Sequence, residues 1–257
     1  MAKIQKNYEI LYTVLNFARQ VFWRMERDKY VIIMAAGSGS RMGAELPKQF
    51  LKLNGKAILQ NTIEVFLNTV PGIKVITVLP QDYIDYWKNY CLAKNFTCTQ
   101  VLVKGGITRF HSVKNALAKV PDGALVAVHD GVRPLITSPL LSEMFKKAED
   151  VEGLIPVLPC IDTMKVLSNK DGVLESMSGV EADRSVLYGA QTPQIFHSEL
   201  LKKAYQQPFS ESFTDDASVV EKYGKSLSYI IGERLNIKIT TQEDLLLARA
   251  IYSLRES

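Results

Sequence analysis

The sequence has few cysteines, few histidines and no long uncharged apolar run, and each shortage excludes a class of protein. The three cysteines, Cys91, Cys98 and Cys160, form no CxxC pair, and any disulfide scheme leaves one unpaired. We therefore expect reduced thiols in a cytoplasmic protein. No apolar segment approaches the roughly 18 residues that a membrane span needs. The cysteines have no base near them in the sequence, and three histidines give no Ser-His-Asp order. Covalent catalysis is therefore not indicated.

The chain also lacks a strong excess of charge of either sign. Lys and Arg number 31 and Asp and Glu 27, a net charge of +4, which is too small to argue for a nucleic-acid partner. Residues 1–24 carry most of this excess, with four basic residues and one acidic residue. The remainder is almost neutral. With 47% hydrophobic and 23% charged residues, the 257-residue chain has the composition of a globular protein and not of a disordered or coiled-coil one.

The first 28 residues differ from the rest and are predicted to form a helical extension. Apolar residues recur there at helical spacing: Ile10, Leu11, Val14, Leu15, Ala18, Val21 and Phe22. A helix docked on the domain, a mobile extension, a membrane-surface helix and a targeting segment are the open interpretations. Met25 is an alternative start, because it leads directly into the first predicted strand.

From Lys29 onwards, apolar strands alternate with helices. Residues 30–36 form a continuous apolar run that ends in Gly37, which is typical of a strand buried on both faces of a parallel sheet. Further strands are predicted over 73–79, 99–103, 124–128 and 153–158, and helices over 58–67, 83–93, 109–117 and 140–148. This order predicts a single α/β domain over 29–257, with a Rossmann-like, open, mostly parallel sheet and helices on both faces. Such sheets bind ligands beyond the carboxyl ends of their strands.

The alternation breaks after residue 160. Two short extended segments, 162–167 and 173–177, flank a stretch that ends in Asp171-Gly172, which predicts a β-hairpin. An isolated hairpin is marginally stable in water, so a second subunit is one way to cover this arm at about 160–184. Extended segments over 227–231 and 236–240 and a helix over 242–254 complete the prediction.

A glycine-rich loop follows the first strand. It reads Gly37-Ser-Gly-Ser-Arg41-Met-Gly43, with Pro47-Lys48-Gln49 after it. The third glycine comes one residue late for a dinucleotide loop, and the loop has no GK[ST] triplet, because Gly39 is followed by Ser40-Arg41. A tight turn with solvated charges remains an alternative. Glycines nevertheless let backbone N–H groups approach phosphate oxygens, and Arg41 and Lys48 would neutralise an anion.

This loop resembles the signature of the sugar-phosphate nucleotidyltransferases, and within them that of the 2-C-methyl-D-erythritol 4-phosphate cytidylyltransferase family. The resemblance covers about residues 29 to 254. Six further motifs occur in the family's order: GGITRFHSV (105–113), HDGVRP (129–134), DTMK (162–165), DRSVLYGAQTPQIF (183–196), TDDASVVE (214–221) and NIKIT (236–240).

The resemblance implies transfer of a cytidylyl group from CTP to 2-C-methyl-D-erythritol 4-phosphate, in the synthesis of isoprenoid precursors. It also implies Mg²⁺ or another divalent cation, held at Asp130, and a homodimer in which Thr163 and Arg184 of the arm serve the partner's site. The implied catalytic residues are Arg41, Lys48 and Lys238. The implied nucleotide-binding residues are Ala35, Ala36, Gly37, Gly39, Gly106, Ser112 and Asp130, and the implied substrate-binding residues are Arg133, Thr163, Arg184 and Thr192.

Simpler interpretations of these residues stay open. Residues 105–112 would also make a plain strand-to-helix turn with Thr108 as its cap. Asp130 and Arg133 would form a structural ion pair, and His129 is favoured as a satisfied structural residue. Lys238, between two isoleucines, would lie on a solvated strand face.

Two aspartates of the TDDASVVE motif raise a further question. Asp215 and Asp216 suggest a metal pair, but we favour a capped helix start there.

Three other functions compete with the implied one. A ribitol 5-phosphate cytidylyltransferase would share the same nucleotide loops. An NAD(P)-dependent oxidoreductase is disfavoured by the spacing of the glycines and by Arg41. A non-catalytic nucleotide-binding protein would not need Arg41, Lys48, Asp130 and Lys238 together.

Overall fold

A computed structural model of the protein describes residues 26–37, 46–177, 179 and 181–256. The predicted helix of the extension, Gly39 and Arg41 lie outside these residues. The strands are β1 Lys29–Met34, β2 Lys52–Leu53, β3 Lys56–Ala57, β4 Lys74–Leu79, β5 Gln100–Lys104, β6 Leu125–Asp130, β7 Gly153–Pro159, β8 Leu167–Lys170, β9 Val173–Ser176, β10 Tyr188–Ala190, β11 Gln194–His197 and β12 Ser228–Ile231. The helices are α1 Ile58–Thr69, α2 Ile84–Ala93, α3 Arg109–Leu117, α4 Ser138–Ala148, α5 Ser198–Ala204, α6 Asp216–Lys222 and α7 Gln242–Glu256. Among the helices of these residues, none combines the length and the apolar character needed to cross a membrane.

Eight of the strands form one mixed sheet, which confirms the predicted α/β class. Strand β1 lies between β4 and β6, and both pairings are parallel. Strand β5 extends the sheet beyond β4, again in parallel. On the other side, β11 joins β6 to β7 through antiparallel pairings, while β7 also pairs with β10 and with the parallel β12. The carboxyl ends of β1, β4, β5 and β6 therefore meet at one edge.

Alternate side chains of β1 face opposite sides of the sheet, as the period of a strand requires. Val31 and Ile33 pack in a cluster with residues of α1, α2 and α4. Ile32 packs in a second cluster with residues of α3, α5 and α6. Helices thus cover both faces of the sheet. Because both faces are buried, successive residues of β1 are apolar.

A third apolar cluster fixes the C-terminal segment beside the carboxyl edge. Ile239 and Leu245 are buried there against Val132, Leu53 and Ile58. The backbone N–H of Ile239 donates to Val132 O at 2.9 Å. The prediction of a strand over 236–240 is wrong, because this segment pairs with a loop and with side chains rather than with a neighbouring strand.

The predicted hairpin is present, with corrected boundaries, and its use in a dimer stays a prediction. The first strand begins at Leu167 rather than at residue 162, and its pairing runs to Lys170 opposite Val173. Asp171 and Gly172 alone form the turn, with φ of 53° and 88°. Positive φ at both central residues is the geometry that the Asp-Gly pair favours in two-residue hairpins.

The region between the arm and α6 contains three elements that the sequence patterns did not predict. They are β10, β11 and α5. Strands of three and four residues are too short to show the alternation of apolar and polar residues that marks a strand. The position of β11 becomes evident from its antiparallel pairing with β6 and β7.

Candidate active site

Asp130 is the last residue of β6, at the carboxyl edge of the sheet, and it is buried. Its register partner on β1 is Met34, so the loop that begins at Ala35 leaves the sheet next to it. Burial alone would raise the pKa of Asp130, but Lys238, Arg109 and Arg133 outweigh it and lower the pKa well below its usual range. The carboxylate is therefore ionised at neutral pH.

Two cations contact this carboxylate directly. Lys238 Nζ lies 3.0 Å from Asp130 Oδ2, and Arg133 Nε donates to the same oxygen at 3.2 Å. The Lys238 side chain is 43% exposed, whereas that of Arg133 is 13% exposed. Arg133 also donates from Nη1 to Asn236 O at 2.7 Å, which joins the loop after β6 to the segment that carries Lys238.

The ion pair that was one interpretation of Asp130 and Arg133 is present, and Lys238 joins it. Of the two cations that contact this buried carboxylate in the described residues, Lys238 is the more exposed to solvent. A cluster of this kind offers positive charge to an anionic ligand at the sheet edge, where open α/β sheets bind their ligands.

The start of the first glycine-rich loop is held by Gln49. Its Nε2 donates to Ala35 O at 2.7 Å and to Gly37 O at 3.2 Å, and Gln49 is almost fully buried. Ala35 also donates its N–H to Val78 O. Lys48 precedes Gln49 in a 3-10 turn that follows Pro47. The Pro-Lys-Gln stretch thus places the Lys48 side chain next to a glutamine that anchors the loop.

The second loop is built around the hydroxyl of Ser112. Its Oγ accepts from the N–H of Gly106 at 2.9 Å and donates to Thr108 O at 2.9 Å. Thr108 caps α3, as the turn interpretation predicts. Ser112 is 2% exposed, so its hydroxyl shapes the loop from inside.

The two glycine-rich loops touch each other. A Cβ on Gly105 would lie 2.7 Å from the Cβ of Ala36, and one on Gly106 would lie 2.5 Å from the Cβ of His111. Both positions exclude a side chain for steric reasons. Ile107, next in the chain, is 94% exposed. The second loop therefore packs closely against the first at Gly105 and Ala36, and the Ile107 side chain points to solvent.

Arg109, which follows the second loop at the start of α3, forms a salt bridge with Asp216. It donates to both carboxylate oxygens of Asp216, with distances of 3.0 and 2.5 Å, and the Tyr205 hydroxyl donates to Asp216 at 2.6 Å. Asp216 is fully buried at the start of α6, and Asp215 caps that helix in a capping box. The structural interpretation of the two aspartates is confirmed. The pair that Arg109 forms with the buried Asp216 was missed, because the two residues lie 107 positions apart in the sequence.

Thr192 joins the cluster through Asp130. Its Oγ1 accepts from the backbone N–H of Asp130 at 3.1 Å and lies 3.1 Å from His129 Nδ1. His129 is fully buried, and its Nε2 lies 3.0 Å from Arg133 O. Both ring nitrogens of His129 thus have hydrogen-bond partners, as the interpretation of a satisfied histidine predicts.

Thr163 and Arg184 lie on the exposed arm. Arg184 donates to Ile161 O at 2.7 Å, within the arm itself. In residues 26–37, 46–177, 179 and 181–256, no hydrogen bond joins either residue to Asp130, Arg133 or Lys238. The structure of one chain thus brings together the residues of the sheet edge but not those of the arm.

Comparison with known proteins identifies relatives over almost the whole domain. The family described as IspD, 2-C-methyl-D-erythritol 4-phosphate cytidylyltransferase, matches residues 30–254. A protein of this name from Bacteroides thetaiotaomicron is 44% identical over 221 residues, which cover 86% of this chain and 98% of the relative. Another, from Porphyromonas gingivalis, is 43% identical over 230 residues, which cover 89% of this chain and all of the relative.

Solved structures give the same result. The 4-diphosphocytidyl-2C-methyl-D-erythritol synthase from Anaerococcus prevotii superposes with a TM-score of 0.72 at 28% identity, covering 90% of this chain and 98% of its own. The 2-C-methyl-D-erythritol 4-phosphate cytidylyltransferase from Francisella tularensis superposes with a TM-score of 0.71 at 30% identity, covering 87% and 99%. On its sequence and its fold, this chain belongs to the 2-C-methyl-D-erythritol 4-phosphate cytidylyltransferase family.

Proposed function

We propose that this protein transfers the cytidylyl group of CTP to 2-C-methyl-D-erythritol 4-phosphate, as its family does, to give 4-diphosphocytidyl-2-C-methyl-D-erythritol and pyrophosphate for isoprenoid precursor synthesis. The observation that carries the proposal is the contact of Lys238 and Arg133 with Asp130 at the edge where the two glycine-rich loops meet. A phosphate oxygen of the acceptor forms the new bond to the α-phosphorus, and the bond from the α-phosphorus to the bridging oxygen of pyrophosphate breaks.

Repulsion between two anions is the main obstacle to this reaction. The attacking phosphate is already ionised near pH 7, so no general base is required. Catalysis then depends on positioning and on cations aimed at the developing charge. Lys238 is assigned to the α-phosphate, and Arg41 and Lys48 to the pyrophosphate and the transition state.

The nucleotide is assigned to the two loops. Backbone groups of residues 35–37 and of Gly39 would surround the phosphates. Gly106 and Ser112 would shape the pocket for the base, with Ser112 acting through the loop backbone because its hydroxyl is engaged with Gly106 and Thr108.

Asp130 fits a role beside a divalent cation. Lys238 and Arg133 both contact its Oδ2, and the carboxylate is ionised. Mg²⁺ prefers oxygen ligands, several of them from phosphate and water, so one carboxylate beside a triphosphate suffices. Among the residues that the structure describes, no three His, Cys, Asp or Glu side chains gather to hold a metal, so the nucleotide would supply the other ligands. When bound, the cation would neutralise charge on the phosphate oxygens.

The acceptor is assigned to Arg133 and Thr192 of one chain and to Thr163 and Arg184 of a second copy. The arm exposes large apolar side chains, among them Ile161, Met164, Val173 and Leu174. Exposed large apolar side chains gathered on one segment are typical of an interaction site, and a symmetric dimer would cover both arms at once. We also place the protein in the cytoplasm, since Cys91, Cys98 and Cys160 are free thiols.

The assignment of the substrate is tested by pyrophosphate release from CTP across a panel of polyol phosphates. We expect turnover with 2-C-methyl-D-erythritol 4-phosphate to exceed that with every other acceptor, and CTP to exceed UTP and ATP. Faster turnover with ribitol 5-phosphate would assign the chain to the alternative reaction. Reduction of NAD(P) by any of these polyols would favour an oxidoreductase.

The shared site is tested by mixing two inactive variants. The Arg184→Ala subunit still carries Lys238, and the Lys238→Ala subunit still carries Arg184. If the arm crosses to the partner, a mixed dimer therefore contains one complete site. We expect co-refolded variants to recover about a quarter of wild-type activity, because half of the dimers are mixed and each has one intact site. No recovery in dimers shown to be mixed would place Arg184 at its own chain's site.

A further inference from the structure

His129 occupies the centre of the cluster at the end of β6. Its ring is fully buried and meets the ring of Phe66 edge-on, with centroids 5.0 Å apart. Its two ring nitrogens contact two different loops, Nε2 at Arg133 O (3.0 Å) and Nδ1 at Thr192 Oγ1 (3.1 Å). Both partners belong to residues that the proposed function assigns to the acceptor.

The directions of these hydrogen bonds follow from the partners. A backbone carbonyl only accepts, so Nε2 must carry the hydrogen. Thr192 is buried, and its hydroxyl has two partners among the described residues. One of them, the N–H of Asp130, only donates, so the proton of the hydroxyl must point to His129 Nδ1. Nδ1 is then an acceptor, and the Thr192 hydroxyl donates to it.

The same hydroxyl accepts from the N–H of Asp130 at 3.1 Å. Its only proton is used by His129, and one lone pair is used by Asp130. What remains is a second lone pair, which accepts a hydrogen bond but cannot give one. An ionised phosphate oxygen is likewise only an acceptor, so Thr192 in this arrangement suits a hydroxyl group and not a phosphate.

We propose that His129 is a positioning residue of the transfer reaction: as the Nε2–H tautomer it holds Arg133 and Thr192 on either side of Asp130, and it presents Thr192 as an acceptor for a hydroxyl of the polyol chain. The identity of the ligand rests on the proposed function. The tautomer and the direction of the hydrogen bonds rest on the structure alone. A satisfied core histidine would stabilise the fold without affecting one substrate more than the other.

The tautomer is measured by NMR on the whole protein labelled with [¹⁵N]histidine. The sequence contains three histidines, His111, His129 and His197, so the ring signals are few and are assigned by single variants. We expect His129 at neutral pH to show a protonated Nε2 and an unprotonated Nδ1. A protonated Nδ1, alone or together with Nε2, would overturn the proposal. This readout stands even if the protein acts on a different acceptor.

The kinetic test compares His129→Gln with His129→Leu. The glutamine amide keeps an N–H donor for Arg133 O, whereas leucine does not. We expect His129→Leu to raise the KM for the polyol phosphate about tenfold and His129→Gln about threefold, with the KM for CTP changed less than about twofold. His197→Asn is the matched control, because its Nε2 also contacts a backbone carbonyl, Ala148 O at 3.0 Å, but beside the amino end of β6.

Thr192→Val and Thr192→Ser provide a second pair in case the histidine variants unfold. Valine removes the hydroxyl at nearly constant volume, and serine restores it. We expect Thr192→Val to match His129→Leu in its effect on the acceptor's KM, and Thr192→Ser to raise that KM by a smaller factor than Thr192→Val. Equal increases in both KM values, or none in folded variants, would reduce His129 to a structural role. Absence of pyrophosphate release from the wild-type protein would instead overturn the proposed function and leave the NMR result to decide the tautomer.

Discussion

Lys238 and Asp130 form an ion pair, with Nζ 3.0 Å from Oδ2, although one residue belongs to an irregular C-terminal segment and the other ends a central strand. The ammonium is partly exposed and the carboxylate is nearly buried. Phosphate oxygens that enter from the solvent would therefore meet the ammonium first. The pair holds Lys238 in place before a ligand arrives, which is the preorganisation that electrostatic catalysis needs.

Removal of either of two lysines is expected to impair turnover strongly. Lys238→Ala and Lys48→Ala should each lower kcat about 10²-fold or more, the scale of losing one group that stabilises transition-state charge. Pyrophosphate release under saturating CTP and acceptor measures this. Lys225→Ala is the control, since Lys225 pairs with Glu152 on the exposed surface. Near-normal turnover in both lysine variants would contradict the assignment.

The backbone, and not the side chain of Ile107, is expected to shape the nucleotide pocket. Gly106→Ala would place a Cβ 2.5 Å from that of His111 and force the loop to move, so the KM for CTP should rise about tenfold. Ile107→Asp changes a side chain that is 94% exposed and should alter the KM for CTP by less than about twofold. The prediction is wrong if the two variants affect CTP equally.

The pair between Arg109 and Asp216 is expected to stabilise the fold. Arg109→Leu leaves the buried carboxylate with the Tyr205 hydroxyl as its remaining side-chain donor, and the free energy of unfolding should fall by about 3 kcal/mol. Arg109→Lys keeps the charge but loses the two-pronged contact, so its loss should be smaller. Urea unfolding followed by circular dichroism measures both. Equal stability of the leucine variant and the wild type would exclude this role.

Acid is expected to weaken the salt bridge between Glu199 and Arg27, which lies just before the domain. Arg27 Nη1 is 3.0 Å from Glu199 Oε1. Burial would raise the pKa of Glu199, but its own backbone N–H, Arg27 and Ser198 lower it from 4.5 to about 2. Between about pH 5 and pH 2 the unfolded state therefore binds more protons, so stability falls as the pH decreases through this range. Urea unfolding at pH 5, 4 and 3 should show a smaller loss in Glu199→Gln than in the wild type. Parallel losses in the two proteins would contradict the assignment to Glu199.

Strands buried on both faces and capped helices were recognisable from local patterns. The continuous apolar run after Lys29 predicts β1, and the helix over Arg109–Leu117 is predicted with its observed bounds. Asp171-Gly172 predicts the turn of the arm, because the two residues tolerate positive φ. The site residues came from a different signal, the order of seven short motifs, which no single loop would have supplied.

The amino-acid sequence by itself determined the alternation of strands and helices, the position of the glycine-rich loops and the family, since these depend on local residue preferences and motif order. Only the tertiary structure decided which charges meet. It placed Lys238 and Arg133 on one oxygen of Asp130, joined Arg109 to Asp216, and put His129 between Arg133 and Thr192. Contacts between residues far apart in the chain depend on strand register and on the apolar clusters that fix each loop, and no local pattern records them.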